Sequence, residues 1–185
     1  YEQLHRNEVG DWDSSQYAES DVFWGGDEKV FSQEVRLASN GDGPLHWVAG
    51  AYYSHQTQDE IYASDFTHVF GIGAHITYDQ KVESISGFGQ AEYEFTDRLK
   101  LIGGLRYEHE TRDLNNFTSA FGGSTALPPT DQTTDMSPLT GKAELDFKAA
   151  DHVLFYASAS KGVKSGGFTT YNTGNAAGIA PFKPE

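Results

Sequence analysis

The sequence contains no cysteine and only one methionine among its 185 residues. The absence of cysteine excludes disulfides, iron–sulfur clusters and zinc sites built from thiolates. Basic residues are also scarce, since 13 Lys and Arg stand against 27 Asp and Glu and give a formal net charge of -14. Because nucleic-acid binding requires a basic surface, we expect no nucleic-acid partner.

Long apolar runs are missing as well. The longest, Trp47 to Tyr53, is far too short for a membrane-spanning helix. This does not exclude a membrane, because transmembrane strands alternate apolar and polar residues. Helical periodicity is hard to find, and glycines inside the apolar segments, such as Gly87 and Gly103, disfavour helices. The sequence therefore predicts an all-β fold.

Alternation with a period of two residues predicts seven strands, the first of them incomplete. The predicted hairpins cover about 30–58, 82–113 and 137–165, and long loops cover about 10–29, 59–81, 113–136 and 165–185. Short turns lie near Asp42, Asp97 and Ala150. Short turns at one end and long loops at the other are typical of an outer-membrane barrel. We therefore predict an antiparallel up-and-down transmembrane β-barrel, here an open seven-stranded segment forming one partial domain over 1–185.

The hairpin around Asp97 predicts a register. If Phe95 lies opposite Leu99, every outward pair as far as Tyr107 is apolar or small, and opposite charges meet on the other face. At about 3.3 Å per residue and a tilt near 40°, the outward stripe from Leu99 to Tyr107 spans roughly 23 Å, close to the apolar band of such barrels. None of the outward residues predicted between Val82 and Phe155 is charged, as a lipid-facing surface requires.

A soluble β-sandwich with one buried face would alternate in the same way. Gly and Ala are numerous on the apolar face and bulky β-branched residues are few, which disfavours a tightly packed sandwich core. A second sheet covering the face formed by Leu99, Leu101 and Leu105 would identify a sandwich.

The opposite face carries alternating charges suited to a water-filled lumen. We predict that the lumen is lined by Glu92, Glu94, Lys100, Arg106, Glu108, Glu110, Arg112, Lys142, Glu144, Asp146 and Tyr156. We interpret the charged ladder as ion pairs that hold neighbouring strands or a domain inside the barrel. General acid–base chemistry is the less favoured alternative, and we predict no catalytic residue, no resident cofactor and no metal ligand.

Four stretches together resemble one known family. They are LFYASASKGVKSGGF at Leu154–Phe168, PFKPE at Pro181–Glu185, FSQEVRLAS at Phe31–Ser39 and GFGQAEY at Gly87–Tyr93. In sequence, order and spacing they are similar to segments of the barrel of TonB-dependent outer-membrane receptors of the siderophore and iron-complex type. The resemblance covers most of the chain.

The resemblance implies a barrel of about 22 strands with a plug domain in its lumen, of which this chain holds neither the plug nor the rest of the wall. It implies a receptor in the outer membrane of a Gram-negative bacterium that imports a bulky, scarce solute such as a ferric siderophore or another iron complex. The implied partners are outer-membrane lipid, lipopolysaccharide, the plug domain and, through it, the inner-membrane TonB energy transducer. We expect a fragment that does not fold stably alone, because a cut sheet exposes two edges.

Two alternatives to this function stay open: a passive porin-like or structural barrel, and a soluble carbohydrate-binding β-sandwich. In neither case, nor in the receptor, do we expect an enzyme. A plug domain elsewhere in the protein would distinguish a receptor from a porin.

Because the loops of this family receive iron chelates, aromatic and histidine residues in the predicted loops are candidates for ligand contact. They are Phe66, Phe70, His68, His75, Phe117, Phe121, Phe168 and Tyr171. Exposed aromatic rings can stack on flat ligands. The alternatives are solvated histidines and aromatic side chains that pack on one another, and the spacing of His68 and His75 matches no recurrent metal-ligand motif.

Overall fold

The computed structural model describes residues 1–12, 14, 21–171 and 174–185, apart from the side chains of residues 69 and 70. Its elements are β1 (Glu2–Asp11), β2 (Asp21–Ala38), β3 (Leu45–Phe66), the single-turn helix α1 (Thr67–Phe70), β4 (Ile72–Thr96), β5 (Leu99–Phe121), β6 (Ser124–Met136), β7 (Leu139–Ala150) and β8 (Val153–Lys161). The strands form one antiparallel sheet in the order β1-β2-β3-β4-β5-β7-β8, with β6 also paired to β5. The predicted all-β, antiparallel, open sheet is confirmed.

The sheet has eight strands rather than the predicted seven because one strand is interrupted. β6 and β7 lie end to end beside β5, with β7 along residues 99–107 and β6 along residues 110–121. Pro138 lies between them and has no backbone N–H to donate to the ladder. Its carbonyl still accepts a hydrogen bond from the Glu108 N–H at 3.2 Å. Counted across the sheet, with β6 and β7 as one interrupted strand, there are therefore seven neighbouring strands, as predicted.

The strands are much longer than predicted, and most of three predicted loops is strand. The pairing of β3 with β4 continues from Leu45 opposite Tyr93 up to Phe66 opposite Ile72, and it covers the predicted loop 59–81 except residues 67–71. β5 and β6 likewise occupy most of 113–136, and β2 begins at Asp21 inside the predicted loop 10–29. The loop prediction was wrong because many outward residues of these extensions are polar, such as Asp59 and Asp79, while alternation persists on the inward face.

The register predicted around Asp97 is confirmed from Tyr93 opposite Leu101 through the three outward pairs that follow. It is wrong beside the turn, where a bulge places Thr96 rather than Phe95 opposite Leu99. The Thr96 hydroxyl accepts hydrogen bonds from the backbone N–H groups of Arg98 and Leu99, at 3.2 and 3.1 Å. This side-chain contact closes the turn and explains the extra residue.

The outward apolar stripe is not covered by a second sheet within the described residues. Leu101 is 41% exposed and Leu105 is 63% exposed. This arrangement contradicts the β-sandwich alternative, in which both side chains would be buried. None of the helices in the described part of the chain is long and apolar enough to cross a membrane.

The buried core lies on the other face, at the end of the sheet far from the short turns. It consists of Val22, Tyr62, Ala74, Ile76, Leu114, Phe117, Leu127 and Ile179. Ile179 comes from the C-terminal segment, whose described residues 162–171 and 174–185 lie over the inward face of the long hairpins. Two backbone-paired positions close this segment, Lys164 with Glu185 and Gly167 with Phe182. The segment predicted as a long loop over about 165–185 is therefore held against the sheet by its own apolar side chains.

Candidate functional site: the inward face of the sheet

All the residues predicted to line the lumen lie on one face of the sheet. The register aligns Glu94, Lys100, Asp146 and Tyr156 in one row across four strands. The next row towards the loop end contains Glu92 and Glu144, and the one after it contains Lys142. Arg106, Glu108, Glu110 and Arg112 follow at alternate positions along β5. The period of two residues in β-strands thus brings the predicted set together, and its role as a lumen lining stays a prediction.

Most of these charges have partners nearby. The Lys100 ammonium lies 3.6 Å from a Glu92 carboxylate oxygen and 3.7 Å from an Asp146 oxygen, joining three strands. Along β5, Arg106 Nε donates to Glu108 Oε2 at 3.0 Å, and Arg112 Nη2 donates to Glu110 Oε1 at 3.0 Å. Such pairing suits ion pairs that organise a wall.

The predicted ligand-contact aromatics are located mainly on strands, and several pack together. Phe66 ends β3, and Phe117 and Phe121 belong to β5, so their placement in loops was wrong. Phe117 is fully buried, and Phe66, Phe121 and Phe168 pack against the same core. The structure shows the packing of aromatic side chains on one another, and their contact with a ligand stays a prediction.

Tyr171 is the most accessible of the described aromatic candidates. It is 40% exposed, and its hydroxyl lies 3.1 Å from the Tyr62 hydroxyl. The two rings meet edge to face with centroids 4.9 Å apart. Burial, followed by the hydrogen bond with Tyr171, raises the pKa of Tyr62 to about 12, so this hydroxyl stays protonated at neutral pH. The C-terminal segment is therefore joined to β3 by a polar contact as well as by the apolar core.

The two candidate histidines do not converge. His68 lies exposed in α1, whereas His75 lies exposed on β4 opposite Ala63 and Ala120. Asp65 instead accepts hydrogen bonds from the Thr67 hydroxyl and, at 2.9 Å, from the Thr67 N–H, and these two contacts, the hydroxyl first, lower the pKa of its carboxyl. Within the described residues, no group of three or more His, Asp or Glu side chains could hold a metal ion. The Phe70 side chain lies outside the described residues.

Sequence reasoning missed the inward residues of the extended hairpins. Tyr62 is only 4% exposed and packs edge to face on Trp24, with centroids 5.9 Å apart. Trp24 Nε1 donates a hydrogen bond to Glu60, which is also buried. The sequence did contain a signal, which was the alternation itself. Glu60, Tyr62 and Ser64 occupy every second position of β3, in step with the inward residues that precede them, although they lie beyond the apolar stripe.

Comparison with known proteins places this geometry in one family. The family described as "TonB dependent receptor-like, beta-barrel" matches residues 1–185. The solved structure of FyuA, the ferric yersiniabactin uptake receptor from Yersinia pestis, superposes with a TM-score of 0.84 over 98% of this chain, at 18% sequence identity. The rhizobactin receptor of Rhizobium meliloti (strain 1021) is 38% identical over 56 residues, or 30% of this chain.

An open antiparallel sheet with an uncharged outward stripe and a charged inward face defines a segment of a large β-barrel wall. The chain belongs to the TonB-dependent receptor β-barrel family. It spans 27% of the FyuA chain, and the segment aligned with the rhizobactin receptor is 7% of that protein. The family is one of receptors and transporters rather than enzymes.

Proposed function

We propose that this chain is part of the barrel wall of an outer-membrane receptor that imports a ferric siderophore or another iron complex. The observation that carries the proposal is the match of the whole chain to the receptor barrel family. The names of the two similar proteins, receptors for yersiniabactin and for rhizobactin, support an iron complex as the solute.

The location in the outer membrane is supported by the outward stripe. Its large side chains, among them Val35, Leu37, Leu101, Leu105 and Phe155, are 41–68% exposed. Leaving them in water would cost about 25 cal/mol for each Å² of apolar surface, whereas a hydrocarbon environment removes that cost. We propose that outer-membrane lipid covers the stripe and that lipopolysaccharide surrounds the polar extensions beyond it.

The proposed internal partner is a plug domain, through which the TonB transducer would act. The inward ladder supports this assignment, because a wall of paired charges offers hydrogen-bonding groups to a polar domain in the lumen. Ligand contact is proposed for the accessible face of Tyr171, which is the described aromatic candidate least buried by the core.

The test is growth and uptake in a strain that lacks the gene for the full-length protein, with labelled ferric siderophores under iron limitation. Loss of uptake that returns with the gene and requires TonB would support the proposal. Uptake that continues without TonB would favour the passive porin alternative. No change in iron uptake, together with no induction by iron limitation, would overturn the iron-complex assignment.

A further inference from the structure

The short turn between β2 and β3 is held at both ends and open at its centre. The Ser39 N–H donates to the Trp47 carbonyl at 2.9 Å, and the Trp47 N–H donates to the Ser39 hydroxyl at 2.9 Å. At the other end the Pro44 carbonyl accepts a hydrogen bond from the Glu94 N–H of β4 at 2.8 Å. Between these contacts lies the sequence NGDG at 40–43, in which every residue is exposed. The centre of the turn is therefore open to water.

Asn40 and Gly41 together have what an intramolecular reaction needs. The side-chain amide of Asn40 contains an electrophilic carbon, and the backbone nitrogen of Gly41 can close a five-membered ring on that carbon. Among the described residues, no hydrogen bond engages the Gly41 N–H. A Cβ atom on Gly41 would meet no atom within 4 Å, and glycine has the widest range of backbone angles. The turn thus leaves the nitrogen free to approach the amide carbon.

The other asparagines in the described part of the chain lack this combination, since none of them precedes a glycine; they are Asn7, Asn115, Asn116 and Asn175. Asn116 shows the contrast most clearly. Its Nδ2 donates to Asp79 Oδ2 at 2.8 Å, and the residue after it, Phe117, is fully buried within β5. The nitrogen that would have to attack the Asn116 amide belongs to a packed strand, whereas that of Gly41 belongs to an open turn.

From this geometry we infer that Asn40 is a site of spontaneous covalent modification, at which a side-chain amide becomes a carboxylate. The Gly41 nitrogen attacks Asn40 Cγ and forms a C–N bond. The Cγ–Nδ2 bond breaks, and the proton lost by the Gly41 nitrogen leaves with Nδ2 as ammonia. Water then opens the cyclic imide at either of its carbonyl carbons and yields aspartate or isoaspartate. The reaction consumes only water, and the inference does not depend on the proposed function.

The modification changes the turn in two ways. It adds one negative charge next to Asp42, in a chain whose formal net charge is already -14. The isoaspartate product also routes the backbone through the side-chain carbon, and this lengthens a turn whose ends are hydrogen-bonded to fixed strands. Isoaspartate exposes a carboxylate that an isoaspartate-specific carboxyl methyltransferase can methylate, so this class of enzyme serves as a probe for the product.

The experiment incubates the folded full-length receptor in detergent at mildly alkaline pH and digests samples with trypsin at intervals. The peptide 37–81 contains Asn40 as its single asparagine, and mass spectrometry follows the replacement of its NH2 group by OH. We expect this peptide to react progressively and to accept methyl groups from the methyltransferase. The peptide 113–142, which contains Asn115 and Asn116, is the internal control and should stay unchanged over the same period.

Two variants and a free peptide separate the role of the turn from that of the sequence. Gly41→Ala should slow the reaction about fivefold or more, the factor that the extra backbone freedom of glycine represents. The turn should accommodate this change, because φ of Gly41 is not positive and the added Cβ meets no neighbour. Asn40→Gln should abolish the mass change, because its longer side chain no longer closes a five-membered ring. The wild-type peptide 37–81, excised before incubation, should react within a few-fold of the rate in the folded receptor.

An Asn40 amide that survives in the folded receptor while the excised peptide reacts would overturn the inference, because the turn would then protect it. A Gly41→Ala variant that reacts as fast as the wild type would overturn it as well. Neither result bears on iron uptake, so the proposed function and this modification are tested independently.

Discussion

Placing an arginine at Gly103 tests directly whether the outward stripe faces lipid or water. Gly103 is the middle residue of the nine-residue stripe from Leu99 to Tyr107. With a rise of about 3.3 Å per residue and a tilt near 40°, it lies about 10 Å from either end, near the predicted bilayer midplane. A Cβ atom at this position would meet no neighbouring atom within 4 Å, so steric strain does not enter the comparison.

The sign of the effect depends on the solvent. An arginine at the midplane of a barrel costs about 2–4 kcal/mol, whereas replacing glycine in a strand that faces water should stabilise it by about 0.5 kcal/mol or more. We expect Gly103→Arg to lower the free energy of unfolding of the full-length receptor by about 2–4 kcal/mol in lipid vesicles, as measured by urea titration of tryptophan fluorescence.

Two control variants isolate the contribution of lipid. Gly104→Arg places the same side chain on the inward face one residue later, where the nearest atoms to a Cβ, in Gly89 and Gln90, are at ordinary distances of 3.5 Å and more. Gly103→Leu keeps the outward position without the charge. Both should change the stability by less than about 1 kcal/mol. If Gly103→Arg is as stable as the wild type, the outward stripe does not face hydrocarbon and the membrane orientation is wrong.

Three further substitutions and one truncation test other parts of the structure. Ile179→Ala should detach the C-terminal segment, because removing a fully buried isoleucine side chain costs about 2–5 kcal/mol. Limited proteolysis of the variant receptor should then cut within 164–185. Uncut protein would contradict the packing of this segment on the sheet. Gly50→Ala should cost about 1–3 kcal/mol, because its Cβ would lie 2.5 Å from the Val35 carbonyl oxygen, and a melting temperature equal to the wild type would refute that clash. Burial, followed by the neighbouring Asp79, raises the pKa of the Asp59 carboxyl above its ordinary value, outside the apolar stripe. Folding therefore favours the protonated form of Asp59. The resulting contribution to the stability of the folded protein is full below the ordinary pKa and is lost as the pH rises through the raised pKa. Asp59→Asn should raise the free energy of unfolding at pH 7 by on the order of 0.5 kcal/mol and leave it unchanged near pH 3. Finally, the isolated 185-residue chain should show no cooperative thermal transition in detergent-free buffer, because both sheet edges and the apolar stripe are exposed, and a sharp monomeric transition would contradict this.

The sequence was sufficient to predict which residues share a face. Alternation placed Lys100, Arg106 and Asp146 together, and the strands aligned them as expected because side-chain direction has a period of two residues. The cross-strand register was predictable for the same reason, since a slip of one residue would turn charges towards the apolar face. Only the pairing next to the turn was wrong, where the Thr96 hydroxyl inserts a bulge that no alternation pattern reveals.

The length of the strands was not predictable from the apolar stripe. Beyond the stripe, outward positions such as Asp59 and Asp79 become polar, and the segment then has the composition of a loop. The inward positions keep the hairpins ordered, because Tyr62, Ile76 and Leu114 are buried there. What buries them is Ile179 and its neighbours, more than 60 residues away along the chain, and that contact leaves no local signal.

Local sequence patterns and long-range contacts thus determined different features of this protein. The sequence by itself determined the fold class, the two faces and the family, because these depend on local alternation and on short recurrent stretches. Only the tertiary structure decided that the C-terminal segment covers the inward face, and that Arg36 and Arg106, which are 70 residues apart, lie in one row across the sheet with Gly50 and Phe88 between them. The physical reason is that strand pairing brings together side chains from different hairpins, and their distance apart in the sequence does not reveal which of them will meet. The space above Gly50 then exists only once its neighbouring strands are in register.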